Sequence, residues 1–99
     1  MSAYLIIRVK VNDLDLYKSY TSRSPAVVNQ YGGKFLVRGG EPTTLEGDEF
    51  NGRMVVIEFS DRQAAKDFYY SEEYQELIRM RAPASSAEFI LIDGFSPAT

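Results

Sequence analysis

The first stretch of this chain reads with period two, and after it the spacing changes to that of a helix. From Ala3 to Val11, one face carries Ala3, Leu5, Ile7, Val9 and Val11, and the other carries Tyr4, Ile6, Arg8 and Lys10. Asn12-Asp13-Leu14-Asp15 offers short acceptors at a helix start. Leu16, Tyr20, Val27 and Tyr31 then fall close to one helical stripe. Pro25 is expected to kink or split that helix, because its ring clashes with the preceding turn. Gly32-Gly33 ends it, one glycine taking the left-handed position. Lys34 to Arg38 reads as a second strand with a bulge or bend at Gly39-Gly40, which Thr43 to Glu46 would extend. Arg53 to Phe59 is the third strand. Ser60-Asp61-Arg62-Gln63 reads as a capping box opening a second helix, which Ser71 re-caps for a short continuation. Glu88 to Asp93 is the last strand.

Two right-handed crossovers turn that order, βαββαβ, into a four-stranded antiparallel sheet of order 4-1-3-2 with the helices on one face. The expected fold is therefore α+β and ferredoxin-like, one domain over residues 1–95, with 96–99 as a C-terminal tail. Two helices cover only one side of such a sheet, yet the strands are apolar on both. One pattern holds Leu5, Ile7, Val9, Phe35, Val37, Val55, Ile57, Phe59, Phe89 and Leu91; the other holds Tyr4, Ile6, Leu36, Met54, Val56, Ile90 and Ile92. A second copy packed sheet to sheet is the simplest cover, so a homodimer is expected.

Composition narrows the chemistry. The chain of 99 residues has no cysteine, which removes disulfides and thiol nucleophiles and permits a cytoplasmic location. It has no histidine, which removes His-based triads and the commonest zinc and haem ligand. No cofactor and no metal are expected. A net charge of −3 with scattered Lys and Arg argues against nucleic acid. No apolar run approaches the length that crosses a membrane, and no secretion signal is visible.

Carboxylates, tyrosines, arginines and backbone amides remain. Arg8, Arg38 and Glu58 fall on the same strand face as Tyr4 and Ile6. They form either a structural ion-pair cluster at the dimer core or a polar site in an apolar cavity. Glu58 is the candidate general base, since burial and a neighbouring arginine would tune it. Arg38 with Gly39 and Gly40 could hold a carboxylate or enolate through a planar fork and close amides. Tyr17 and Tyr20 could orient a substrate or belong to the core, and Phe68, Tyr69 and Tyr74 read as core. Arg79 and Arg81 read as surface residues that favour a helix C-terminus. Glu46, Asp48 and Glu49 lack metal-ligand spacing.

Several segments resemble a known family: Tyr4-Leu5-Ile6-Ile7-Arg8-Val9, Gly32-Gly33-Lys34-Phe35-Leu36-Val37-Arg38-Gly39-Gly40, Leu45-Glu46-Gly47 and Val55-Val56-Ile57-Glu58-Phe59. So do Phe68-Tyr69-Tyr70-Ser71-Glu72-Glu73-Tyr74 and Asp93-Gly94. Together they resemble the bacterial domain of unknown function numbered thirteen-thirty, of the dimeric α+β barrel superfamily. Glu72 departs from the proline frequent there. The resemblance implies the fold and a face-to-face dimer, and no activity. The wider superfamily includes cofactor-free monooxygenases, isomerases and non-catalytic domains. Two functions are therefore carried forward. One is a cofactor-independent enzyme acting on an aromatic or oxo-acid-like compound, in which Arg38 holds an anionic oxygen, Glu58 moves a proton and Tyr17 or Tyr20 orients the substrate. The other is a non-catalytic dimeric ligand-binding or stress-associated module.

Overall fold

Short acceptor side chains set where the helices begin. The computed structural model describes residues 2–95 and contains β1 (Ala3–Val11), α1 (Leu14–Gln30), β2 (Lys34–Gly40), β3 (Arg53–Phe59), α2 (Arg62–Tyr69), α3 (Glu72–Arg81) and β4 (Ser85–Asp93). The expected tail, 96–99, lies outside the described residues. Asp13 caps α1 by accepting from the Leu16 amide at 3.1 Å, and Ser71 caps α3 by accepting from Tyr74 at 3.1 Å. At α2 the cap is Asp61, not Ser60: its carboxylate accepts from the Ala64 amide at 2.8 Å. A charged acceptor outcompetes the hydroxyl before it. Gln63, freed from the expected box, donates to Asp67 at 2.8 Å.

The strands form one antiparallel sheet, β2-β3-β1-β4, in the expected order. Ala3, Leu5, Ile7 and Val9 meet Val55, Ile57 and Phe59 on the helix-covered side, where all seven are buried. Phe68 and Tyr74 come down from α2 and α3, with Phe68 stacked 5.3 Å from Phe59 and 4.3 Å from Tyr74. Each such ring removed from water contributes on the order of 2 kcal/mol or more. Gly32, at φ 78, takes the left-handed turn after α1. Gly33 serves space, because a Cβ there would lie 2.7 Å from Val28 and 2.8 Å from the Phe59 ring.

Several expectations are corrected. Helix α1 runs unsplit through Pro25, and its buried stripe is Tyr17, Tyr20, Ser24 and Val28; Leu16 is exposed. Strand β4 begins at Ser85, three residues before the expected start, because β1 extends to Val11 and pairs it with Ser85. Thr43 to Glu46 is loop; Pro42 precedes it, and Thr44 Oγ1 accepts from the Phe50 amide at 2.9 Å, closing the segment on itself.

The largest correction concerns β2. The register passes from Phe35↔Ile57 to Val37↔Val56, then from Arg38↔Val55 to Gly40↔Met54, so Leu36 and Gly39 are each an extra residue. Every such insertion reverses the side to which the following residues point. Val37 therefore joins Val56 on the open face, and Arg38 joins Val55 on the helix side. The expectation that Arg8, Arg38 and Glu58 share a face does not hold. The open face keeps Tyr4, Ile6, Leu36, Val37, Val56, Ile90 and Ile92; Ile90 and Ile92 are 55% and 53% exposed.

Candidate functional site

Helix α1 turns Tyr17, Tyr20 and Ser24 toward the sheet, and α3 turns Tyr74, Leu77 and Arg81, by the three-and-four spacing of a helix. Between them and the sheet lies a cavity of about 30 Å³. The strands contribute Ile7, Val9, Phe35, Arg38, Arg53, Val55, Ile57 and Phe89, and the helices Tyr17, Tyr20, Thr21, Ser24, Val28, Phe68, Tyr74 and Arg81. Three guanidinium groups thus line one small space. Among the described residues its lining holds no Asp or Glu, and none of the three arginines enters a salt bridge.

Arg81 is 7% exposed, and its guanidinium carbon lies 4.7 Å from the Phe89 ring centre and 5.6 Å from that of Tyr20. The expected surface residue is thus buried: seven residues after Tyr74 and four after Leu77, it falls on the inward stripe of α3. Arg53 lies 5.4 Å from the Tyr17 ring centre. The Nε atoms of Arg53 and Arg81 are both buried without a hydrogen-bond partner. An unpaired buried donor on a charged group costs more than 1–3 kcal/mol by the usual order of magnitude.

The tyrosines are protonated donors. Tyr20 and Tyr74 share a hydroxyl–hydroxyl hydrogen bond of 2.5 Å, and the Tyr17 and Tyr20 rings are 5.4 Å apart. Burial pushes the phenol pKa of all three upward. At Tyr17 the neighbouring Tyr20 adds to this, while Arg53 and Arg81 oppose it. At Tyr20 the Tyr74 hydrogen bond and Arg81 oppose it. Tyr74 is driven furthest, by burial and then by Tyr20.

Arg38 stands at the solvent side of this cavity, where its Nη2 donates to the Thr21 carbonyl at 3.0 Å. That carbonyl is the one whose partner four residues on, Pro25, has no N–H. Arg38 thus completes the hydrogen bond that Pro25 removes and ties β2 to α1. Gly39, at φ 77, makes room for Arg53: a Cβ there would lie 2.7 Å from the guanidinium carbon. Gly40 lies outside the cavity, in a surface hollow with Val11, Leu14 and Glu41.

The structure therefore brings Tyr17, Tyr20 and Arg38 together and sets Arg8 and Glu58 apart from them. Arg8 pairs with Glu88 at 3.7 Å on the open face and stacks 4.2 Å from the Phe50 ring centre. Glu58 lies across from Lys34 and accepts from the Tyr4 hydroxyl at 3.4 Å. Arg53 and Arg81 were missed in the sequence. Arg53 continues the inward alternation of Val55 and Ile57, and Arg81 the stripe of Tyr74 and Leu77; either periodicity points to them. Among the described residues, no group of three or more Asp or Glu residues could hold a metal ion. Among the described residues, no helix is long and apolar enough to cross a membrane.

A four-stranded antiparallel sheet with helices on one side and an apolar open side defines a ferredoxin-like α+β protein. The family model described as Domain of unknown function (DUF1330) matches residues 2–95, and the chain belongs to that family. No curated protein matches it. Among solved structures, a protein of unknown function from Rhodopseudomonas palustris, RPA0582, aligns with a TM-score of 0.75 at 20% identity, over 97% of this chain and 84% of that one. SnoaB from Streptomyces nogalater, described as a cofactor-independent oxygenase, aligns with a TM-score of 0.69 at 18% identity, over 96% and 94%. A dimeric ferredoxin-like protein of unknown function from Jannaschia sp. CCS1 aligns with a TM-score of 0.74 at 12% identity, over 95% and 100%. At these identities the likeness concerns the fold.

Proposed function

We propose that the protein handles a small organic anion without a bound cofactor, in the arginine–tyrosine cavity, as a homodimer joined through its open sheet faces. One observation carries this reading: Arg53 and Arg81 each keep a buried Nε without a partner, in a lining free of carboxylates. An anionic oxygen would supply the missing acceptor and the missing charge.

The chemistry such a site favours is stabilisation of an oxyanion on an aromatic or oxo-acid-like substrate. When a proton leaves an acidic C–H or O–H of such a compound, the electron pair settles on oxygen, where guanidinium and phenol donors hold it. The tyrosines stay protonated, and the lining holds no carboxylate. In this reading the substrate's proton passes to water, and Glu58 stands outside the site. SnoaB's description as a cofactor-independent oxygenase agrees with chemistry that needs no bound cofactor. The missing base also favours a second reading, in which the cavity binds an already ionised metabolite and performs no reaction. The dimer is supported by the apolar open face and by the dimeric description of the Jannaschia neighbour.

Ligand-observed NMR with a panel of small organic acids tests the site. Acid signals should broaden with the wild type and with Glu58→Gln, and stay sharp with Arg53→Met. Broadening that survives Arg53→Met and vanishes with Glu58→Gln would move the site to the open face and end this reading. Deuterium uptake at the carbon beside the carbonyl of a bound oxo acid separates the two readings, since binding alone exchanges nothing.

A further inference from the structure

The cavity's shape and donors say more about what it takes. The geometry points to a planar monoanion, a carboxylate head on a short chain such as a 2-oxo acid, inserted head first between Arg53 and Arg81. This rests on the cavity being the site, as proposed above.

Three features limit the ligand. The first is size. A volume of about 30 Å³ admits roughly two or three ligand atoms. A carboxylate head fits such a space; a tetrahedral phosphate with four oxygens does not. The second is the donor set. A carboxylate presents two oxygens with about four lone-pair sites. Arg53 and Arg81 line the cavity, and each keeps a buried, unpartnered Nε–H. The Tyr20–Tyr74 pair consumes one of its two hydroxyl hydrogens internally, and the other remains for a ligand. Two guanidinium groups and a phenol pair on the lining of one small volume match one planar carboxylate. The third is charge. Arg81 is 7% exposed and has no carboxylate partner among the described residues, so the fold leaves its charge for something else to balance.

The rest of the ligand then leads outward past Arg38, the exposed residue of the lining. The Arg38 guanidinium carries five N–H groups, and Nη2 is the atom joined to Thr21. A second oxygen one or two bonds from the carboxylate, as in a 2-oxo acid, would meet the donors that remain. The reach of Arg38 thus favours a short oxo acid over a plain fatty acid.

Isothermal titration in a chloride-free buffer tests the inference with acetate, pyruvate and nitrate as planar probes and phosphate and sulfate as tetrahedral ones. The planar anions should bind at least about tenfold more tightly than the tetrahedral ones, with pyruvate tightest. Arg53→Met should weaken pyruvate about tenfold or more, the scale of one charge-assisted hydrogen bond. If Arg81→Met fails to fold, Arg81→Lys keeps the charge but loses the fork, and should narrow the preference for pyruvate over nitrate. Phosphate binding as tightly as pyruvate, with Arg53→Met still weakening both, overturns the planar-monoanion inference and leaves the site standing. Binding of no probe, with a melting temperature indifferent to all five, overturns the site as well.

Discussion

At the scale of single residues, the charge and proton states around the cavity follow from burial. Tyr17, Tyr20 and Tyr74 have folded-state pKa values above the ordinary 10.0. Below pH 10.0 the folded and unfolded chains both hold these protons, and the contribution of the three phenols to stability is complete. As the pH rises past 10.0 the unfolded chain releases them while the native one does not, so stability falls. The ultraviolet tyrosinate band should show three of the seven tyrosines ionising only as the fold melts. More than four phenolates appearing below the unfolding transition would contradict this. The same scale shows what the sequence concealed. Arginine is a surface residue by default, so Arg81 read as a helix-end charge. Its spacing from Tyr74 and Leu77 pointed inward, and in the fold the spacing governs where the side chain lies. Tyr17 and Tyr20 were legible as a pair, since a helix stripe must bring residues three apart to one side.

At the scale of elements, α1 and β2 explain one another. Pro25 leaves the Thr21 carbonyl without its helical donor, and the bulge at Leu36 delivers Arg38 to it. The two irregularities are thus coupled, and a double-mutant cycle should report it. Arg38→Ala is expected to cost about 1 kcal/mol in the wild type. In a Pro25→Ala background, where residue 25 regains its N–H, the same change should cost close to nothing. Equal costs in urea unfolding would mean that the contact contributes nothing to stability. Strand and helix boundaries were read well where a cap or a glycine marks them, as at Asp13, Ser71 and Gly32. They were read poorly where the decision lay with a partner strand: Ser85 is in a strand because Val11 needs a neighbour. The bulge at Leu36 has no local signature, since neither its residue type nor its neighbours differ from those of a regular strand. Parity counted along an unbroken strand therefore puts Arg38 on the open face, and the bulge reverses it.

At the scale of the whole molecule, the order of elements fixed the topology, because strand order and crossover handedness leave little choice. The place of the arginine–tyrosine cavity did not follow from it. The sequence reading placed charge on the open face beside Glu58, whereas the unpartnered arginines gather beneath the helices. The open face keeps apolar residues on all four strands, with Ile6 between Val56 and Ile90 near its middle. If that face joins two copies, Ile6→Lys places an uncompensated charge in the interface. It should then raise the dimer dissociation constant about a hundredfold or more, read by light scattering on a size-exclusion column. A wild type that elutes as a monomer at micromolar concentration would exclude the sheet-to-sheet dimer.

The extra residue in β2 bears on how members of such a family are compared. Counting along an alignment treats equal positions as equal in role, but on a strand role is a matter of parity. A relative one residue shorter between Phe35 and Arg38 could keep an arginine in the matching column. It would turn that arginine away from the cavity and toward the open face. A single-residue deletion thus changes what lines the cavity while every named residue is retained. Correspondence in this strand is better counted from the bulge than from the terminus.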